Sequence, residues 1–337
     1  MPSVILHTMF GEDVVSGLFD EPIRAKMLND YRSAFVLGCQ GPDIFYHSQR
    51  LKPAALEYGS LLHRRGCGVF TYGLLEKGLP TTDFNMYGAY ALGFMTHAVL
   101  DRFCHPYIIY HCGGSYHSFF ERIIDVLMLK KLRGLDPACW DQERLLAEVC
   151  ENPPPRLKDI IFQSLAASFP ERVNNDRSLT KRLDNAFADC ARFYNMTSPA
   201  KIKAEFSDNL VKRRQLSRRA LNYVYPENIG EEIDFLNLKH KPWRYPHIPA
   251  NGQMQQEDSR SFLEIYADAV KAAIDAFSPI ITHYLKSGTF PAMTVEKIGN
   301  HGLSILDENG RPCAPNLTDP LPLGEVLEQQ RKLRGVE

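Results

Sequence analysis

Two histidines in the N-terminal part of the chain are each followed by an acidic residue four positions later. These pairs are His97–Asp101 and His117–Glu121. Residues i and i+4 lie on one face of an α-helix, about 6 Å apart, so an imidazole nitrogen and a carboxylate can converge on one metal ion. One such pair alone is weak evidence. With 40 acidic residues among 337, the 11 histidines are expected to give roughly one such pair by chance.

His105 lies between the two pairs and strengthens the case for a metal site. Residues 97, 101 and 105 fall on one face of a continuous helix. Pro106 disfavours helical geometry at the residue before it, so we expect His105 to lie at the helix end and to turn toward the second pair. The five residues supply imidazole and carboxylate without thiolate, a combination typical of zinc in hydrolytic sites. For any single histidine, a hydrogen-bonded core or surface residue is the alternative interpretation.

Three residues outside this set are further candidates. His63 follows two leucines in a stretch with helical periodicity. Asp43 lies beside two glycines and a proline, in a tight loop that holds its carboxylate in one direction; capping of the next helix is the alternative. His7 follows an apolar triplet, and it is either a site residue or the polar end of a buried segment.

The elements that must position these residues are helices, so the sequence predicts an all-α fold. Pro22 and Gly38 mark the start and the end of the first predicted helix, and Ser261-x-x-Glu264 and Gly288 are the cap signals of the last. Residues 225–260 are predicted to be a long irregular connection, and Asn309-Gly310 within 302–315 is a hairpin signal. The predicted helices are 22–37, 54–77, 83–104, 116–133, 141–150, 156–168, 178–196, 200–222 and 261–287.

Length and composition limit the class of protein. At about 150 residues per domain, 337 residues correspond to two domains or one large one. We expect a helical metal-binding hydrolase domain over residues 1–290 and an extension over 291–337 packed on it. The formal net charge of -1 gives no general attraction to nucleic acid or to anionic lipid, so binding to either must be local.

The sequence contains no feature that indicates export or insertion into a membrane. The longest apolar stretch, residues 87–100, is shorter than the roughly 20 residues that span a bilayer, and the N-terminus lacks the features of an export signal. The eight cysteines form no C-x-x-C pair, which argues against both a disulfide framework and a cysteine zinc site. We therefore expect a cytoplasmic protein with reduced thiols.

Taken in order, the candidate residues resemble the zinc-dependent phospholipase C family, whose helical fold is shared with single-strand-specific zinc nucleases. The resemblance covers roughly the first 125 residues. It depends on the two i,i+4 pairs and on the order of all the motifs. These are, in sequence, His7, the Gly-Pro-Asp43 loop, His63, His97-x-x-x-Asp101, His105-Pro106 and His117-x-x-x-Glu121.

This resemblance implies a site with two or three Zn2+ ions. The first zinc would be bound by Asp43, His63, His97 and Asp101. The second would be bound by His105, His117 and Glu121. The third would share Asp101 and use His7; in secreted relatives the first residue of the processed chain completes this site, and here the amino group of Met1 or Pro2, or water, is expected to do so.

The implied activity is hydrolysis of phosphoric ester bonds by a metal-activated water, with Asp43 orienting or deprotonating that water. A phospholipid headgroup is the substrate that the resemblance indicates. Two alternatives remain open. One is a zinc-dependent nuclease or small phosphodiesterase, and the other is a non-catalytic helical protein in which metal contributes folding energy only.

Overall fold

A computed structural model describes residues 3–81, 83–200, 220–246, 257–307 and 311–334. In these parts of the chain the regular structure is helical, apart from one short antiparallel pair, β1 (Trp243–Arg244) and β2 (Glu257–Asp258). The predicted all-α class is confirmed. None of the helices that the structure describes is long and apolar enough to cross a membrane.

Most of the described helices lie between Val4 and Thr197, and longer stretches of chain precede the helices that begin at Phe262 and Leu323. Shorter 3-10 or π turns occupy Lys26–Asp30, Gly41–Phe45, Pro137–Cys139 and Ala220–Tyr223. The α-helices are α1 (Val4–Leu18), α2 (Glu21–Ala25), α3 (Arg32–Cys39), α4 (Leu56–Arg64), α5 (Cys67–Gly78), α6 (Met86–Cys112), α7 (His117–Arg133), α8 (Gln142–Glu151), α9 (Leu157–Ser168), α10 (Pro170–Asn174), α11 (Leu179–Thr197), α12 (Phe262–Ser287), α13 (Met293–Ile298) and α14 (Leu323–Leu333).

Helix α6 is the central element of the fold. Its first half is apolar or small on all sides, which is typical of a helix surrounded by other helices. It packs against α1, α3, α5, α7 and α12. The buried side chains of His97, Asp101 and His105 all belong to this helix, so the core itself places them.

Two glycines allow α3 and α6 to approach closely. A Cβ atom on Gly38 would lie 2.1 Å from the carbonyl oxygen of Tyr90, and one on Gly93 would lie 2.4 Å from the carbonyl oxygen of Phe35. Backbone therefore contacts backbone at this crossing. The approach also brings the end of α3, and the Gly41–Phe45 turn after it, next to the histidines of α6.

Helix α12 agrees with the prediction for 261–287. Ser261 Oγ accepts a hydrogen bond from the Glu264 N–H at 3.3 Å, and the Ser261 N–H donates to Glu264 Oε2 at 2.8 Å. Gly288 follows the helix with φ of 72°, the left-handed conformation expected of a helix C-cap. The capping box and the glycine stop are confirmed.

The bounds of three predicted helices were wrong. Helix α6 continues through Pro106 to Cys112, because the residues after the proline are buried against α7 and α12 and this packing outweighs one lost backbone hydrogen bond. The predicted helix 22–37 is divided into α2, a π turn and α3. Gly38 lies inside α3, which ends at Cys39, because a glycine is needed there for the helix contact. The stretch 54–77 is two helices, divided at Gly66 with φ of 77°.

Other differences concern elements that the sequence patterns did not indicate. Helix α1 was not predicted, because nearly every position from Val4 to Phe10 is buried and no amphipathic period is present. The short helices α10, α13 and α14 were also missed. The predicted helix at 200–222 lies mostly outside the described residues, as does the Asn309-Gly310 turn, although Leu306 and Pro312 on either side of that turn form an antiparallel bridge.

The α3–α6 contact gives a first prediction. Replacement Gly38→Ala should lower the free energy of unfolding by about 1–3 kcal/mol, because the added methyl group meets a backbone carbonyl that cannot rotate away. The control is Gly114→Ala, where a Cβ atom meets nothing within 4 Å, and its effect should stay within about 0.5 kcal/mol. Urea unfolding of both variants is the measurement; equal midpoints would contradict the close contact.

Candidate metal centre

The buried carboxylate of Asp101 lies among four histidines. Its Oδ1 atom is 3.3 Å from His7 Nε2, and its Oδ2 atom is 3.2 Å from His97 Nε2. Two longer approaches, both 3.7 Å, join Oδ2 to His63 Nε2 and to His105 Nδ1. Helices α1, α4 and α6 thus bring imidazoles to one carboxylate that is 3% exposed.

Asp43 reaches the same cluster from the Gly41–Phe45 turn. Its Oδ1 atom lies 3.0 Å from His63 Nε2. Gly41 has φ of 53°, and a Cβ atom on it would lie 2.3 Å from the ring of His97. Glycine is needed at this position for both reasons, and the turn can therefore pass directly beside the His97 imidazole. Asp43 lies within the turn and faces His63, so the alternative role as a helix cap is not what the structure shows.

Backbone carbonyls fix the orientation of three of the imidazoles. Each ring donates its Nδ1–H to a carbonyl oxygen, so its Nε2 atom is left as the basic nitrogen and the tautomer is defined. This is the usual arrangement of histidines that bind metal through Nε2. The pairs are His63 with Gly59 at 2.8 Å, His97 with Cys39 at 3.1 Å and His105 with Leu303 at 2.7 Å.

Several polar atoms of the cluster are buried at ion-pair distance from one another but make no well-aligned hydrogen bond among the described residues. They include His63 Nε2, His97 Nε2 and Asp101 Oδ2. Donor atoms of these same three residues all lie within 4.8 Å of one another. A buried polar atom that makes no hydrogen bond costs about 1–3 kcal/mol, and a shared cation would remove that cost for all three. The nitrogen and oxygen donors fit zinc.

A second group of donors consists of His105, His117 and Glu121, whose ligand atoms also lie within 4.8 Å of one another. His117 is the first residue of α7 and Glu121 follows one turn later, so both face α6. The His117 Nε2–H donates to Glu121 Oε1 at 3.0 Å, and His105 Nε2 lies 3.8 Å from the same oxygen. The predicted convergence of the two i,i+4 pairs is therefore present, although His105 lies inside the helix and not at its end.

His7 belongs to a third group together with Asp43 and His97. Its ring stacks on that of His97 with centroids 4.1 Å apart. A small cavity of about 10 Å³, the size of one water molecule, is lined by His7, Asp101, His105 and Glu121 among others. The amino group expected from Met1 or Pro2 lies outside the described residues.

Asp125 holds the helix that carries His7, and the sequence analysis missed it. Its Oδ1 atom accepts hydrogen bonds from Ser3 Oγ at 2.7 Å and from the Leu6 N–H at 2.8 Å, and its Oδ2 atom accepts from the Ile5 N–H at 3.3 Å. These groups would otherwise be unsatisfied at the start of α1. Asp125 follows Glu121 by four residues, so one face of α7 supplies both a candidate ligand and the anchor of α1.

The C-terminal part of the chain also supports the site. The Arg102 guanidinium donates to the carbonyl oxygens of Gly299 at 3.1 Å and of His301 and Gly302 at 3.2 Å, and also to Ile298. This fixes the chain just before Leu303, whose carbonyl oxygen orients His105. No spacing in the sequence links Arg102 or His105 to this segment, so sequence analysis could not find the contact.

Burial and neighbouring charges shift the pKa values of the site residues in opposite directions. Burial raises the pKa of the Asp101 carboxyl, but His105 and His97 outweigh it and hold that pKa well below its usual range. Burial lowers the pKa of His105 to about 4, against the opposing effect of the Asp101 charge. At His117, the Glu121 carboxylate overcomes the effect of burial and raises the pKa to about 10.

The fold and the site define an all-helical protein with buried imidazole and carboxylate groups that can hold metal. Residues 6–152 match the family described as zinc dependent phospholipase C, which confirms the predicted resemblance over that region. The matched region contains all eight predicted site residues, from His7 to Glu121. Comparisons with curated proteins and with solved structures found no match. The family and the donor chemistry both indicate zinc.

A second prediction concerns zinc content. Replacement Asp101→Asn should remove at least one zinc ion, because the lost charge is shared by four imidazoles. The matched control is Asp268→Asn, at an exposed residue paired with Arg260. Elemental analysis after equilibrium dialysis gives the zinc per chain. A folded Asp101→Asn protein with the wild-type zinc content would refute the assignment.

The protonation state of His117 gives a third prediction. With a pKa of about 10 in the metal-free protein, its imidazole carries a proton at pH 7, and zinc binding requires the neutral ring. Zinc binding to His105, His117 and Glu121 should therefore release about one proton. Titration calorimetry in buffers with different ionisation enthalpies measures this release; a binding heat that does not depend on the buffer would contradict it.

Proposed function

We propose that the protein is a zinc-dependent hydrolase of phosphoric ester bonds, similar to phospholipase C, that uses a metal-activated water. The observation that carries this proposal is a set of three buried atoms on His63, His97 and Asp101 that lie close together and make no well-aligned hydrogen bond within the described part of the chain. They lie within a region that matches a zinc-dependent phospholipase C family. Neutral imidazoles and carboxylates at a partly open site are typical of catalytic zinc.

We assign the ligands in three sets, which give two or three ions. Asp43 and Asp101 would provide the carboxylates of the first set, with His63 and His97. The second set is His105, His117 and Glu121. The third set is His7 with Asp101, and the proximity of His7 to Asp43 and His97 supports a shared carboxylate in this part of the cluster.

When bound, zinc would lower the pKa of water toward neutrality and offset the negative charge that builds up on the phosphodiester oxygens. Asp43 would accept a proton from the attacking water. The positive charge around it, including His63 and His97, outweighs burial and holds the pKa of the Asp43 carboxyl well below the usual range, so this group stays ionised. A carboxylate with so low a pKa is a weak base, and the proton transfer would therefore depend on zinc lowering the pKa of the water. The water oxygen attacks phosphorus, the bond to the alcohol oxygen breaks, and the alcohol leaves with a proton from solvent.

His117 and His63 are the candidate ligands nearest to solvent. The side chain of His117 is 31% exposed and that of His63 is 11% exposed, whereas His97 is fully buried. Substrate would therefore approach from the side of the cluster where these two rings lie. We further propose that residues 1–290 form the hydrolase domain and that 291–337 are an extension that supports it, as the Leu303–His105 hydrogen bond suggests.

The proposed activity yields a fourth prediction. Phosphodiester hydrolysis should stop after chelation and return with added zinc. Replacement Asp43→Asn should lower turnover by about 100-fold or more, and by more than it lowers zinc content, because an amide cannot accept the proton. Asp268→Asn again serves as the control. The assay should include phospholipid, single-stranded nucleic acid and a chromogenic phosphodiester.

Each outcome of this assay has a distinct meaning. Cleavage of nucleic acid but not of phospholipid would show that the protein is a nuclease and not a phospholipase. Fully zinc-loaded protein that cleaves none of the three substrates would overturn the proposed activity and favour a structural role for the metal.

A further inference from the structure

A second cavity lies directly beside the candidate metal centre. Its volume is about 230 Å³, and it lies between the chain segment that follows Asp43 and helix α11. Tyr46 lines this cavity, and its ring centroid is 4.7 Å from that of His63. The Tyr46 N–H also donates to the Asp43 carbonyl at 2.9 Å. The same aromatic ring therefore contacts both the cavity and the metal cluster.

One wall of the cavity carries an arginine that is fixed by a buried carboxylate. Asp189 Oδ2 accepts hydrogen bonds from the N–H groups of Arg50 at 3.0 Å and Leu51 at 2.9 Å, and Asp189 Oδ1 lies 3.2 Å from Arg50 Nε. The carboxylate is therefore engaged by both the backbone and the inner nitrogen of the guanidinium. Arg50 lines the cavity with a side chain that is half exposed.

A second arginine follows on the same face of α11. Arg192 comes three residues after Asp189, lines the cavity and is exposed. His47 also lines the cavity, and its buried Nε2 atom makes no hydrogen bond within the described residues. Burial lowers the pKa of His47 to about 3, so this ring is neutral. The cavity therefore offers two cations against one carboxylate that is already engaged.

We propose that this cavity binds a second anionic group, a phosphate or a carboxylate, carried by the phosphodiester substrate. This proposal rests on the proposed function and specifies the substrate class of that site. Arg50 and Arg192 would recognise the charge, and the rings of Tyr46, Phe193 and Tyr223 would contact the carbon skeleton that joins it to the diester. The same arginines disfavour a quaternary ammonium headgroup, because like charges repel.

The binding of two hydrolysis products tests this proposal without requiring turnover. The zinc-loaded full-length protein is titrated with inositol 1,4-bisphosphate and with phosphocholine, which share a phosphomonoester but differ in the charge of the second group. We expect the bisphosphate to bind at least about tenfold more tightly, as one charge-assisted hydrogen bond would give. Calorimetry at fixed ionic strength measures both dissociation constants.

Arg192 variants separate the cavity from the general charge of the ligand. Replacement Arg192→Gln should reduce the affinity ratio of the two products by about tenfold, and Arg192→Lys should retain part of it because the charge remains. The control is Lys181→Gln, which removes one positive charge from an exposed position of the same helix. Arg50 is less suitable, because its loss would leave buried Asp189 without its cation.

Hydrolysis then distinguishes the source of the anionic group. Cleavage of phosphatidylinositol 4-phosphate in mixed micelles, without cleavage of its soluble glycerophosphodiester, would identify a lipid headgroup; cleavage of both would identify a soluble diester as well. Either result, combined with the Arg192 effect, supports the proposal.

An affinity ratio unchanged in Arg192→Gln, or a preference for phosphocholine, would overturn the proposal even in an active enzyme. Conversely, an Arg192-dependent ratio in a protein that cleaves no diester would preserve the anion site while refuting the proposed hydrolase.

Discussion

The buried carboxylate of Asp101 is the constraint on which the rest of the site depends. A carboxylate that is 3% exposed is costly to keep ionised unless cations or hydrogen-bond donors surround it. Here the surrounding groups are imidazoles from α1, α4 and α6. Several of their nitrogens and one oxygen of Asp101 make no well-aligned hydrogen bond to any residue that the structure describes. The arrangement is therefore polar, buried and incomplete by itself. A shared metal cation is the simplest physical explanation for such a cluster in the middle of a packed helical core.

The scaffold around this cluster fixes its geometry through backbone groups. Carbonyl oxygens from three separate parts of the chain orient His63, His97 and His105, and Asp125 anchors the start of α1. One of these carbonyls belongs to Leu303, which lies beyond the region that matches the family. The C-terminal part of the chain is thus a structural component of the candidate centre. Ligands held in this way need little reorganisation when metal binds, which favours both affinity and a defined coordination.

Local spacing explains what could be predicted from the sequence. The pairs at i and i+4 place two residues on one helix face regardless of the tertiary fold, and the order of the remaining residues indicated the family. Contacts between distant residues left no such signal: the Leu6–Asp125 hydrogen bond joins residues 119 apart, and the His105–Leu303 hydrogen bond joins residues 198 apart. Pro106 gave a wrong helix end, because burial of the turn that follows it outweighed the tendency of proline to end a helix. Helix α1 was missed because a helix buried on all sides has no amphipathic period.

The central claim is that the imidazole and carboxylate groups of α1, α4, α6 and α7 bind zinc. Anomalous X-ray diffraction from crystals of the zinc-loaded protein, recorded on both sides of the zinc absorption edge, tests it most directly. The account predicts one anomalous peak among His63, His97 and Asp101 and another among His105, His117 and Glu121. Well-ordered side chains with no zinc peak at either position would contradict it.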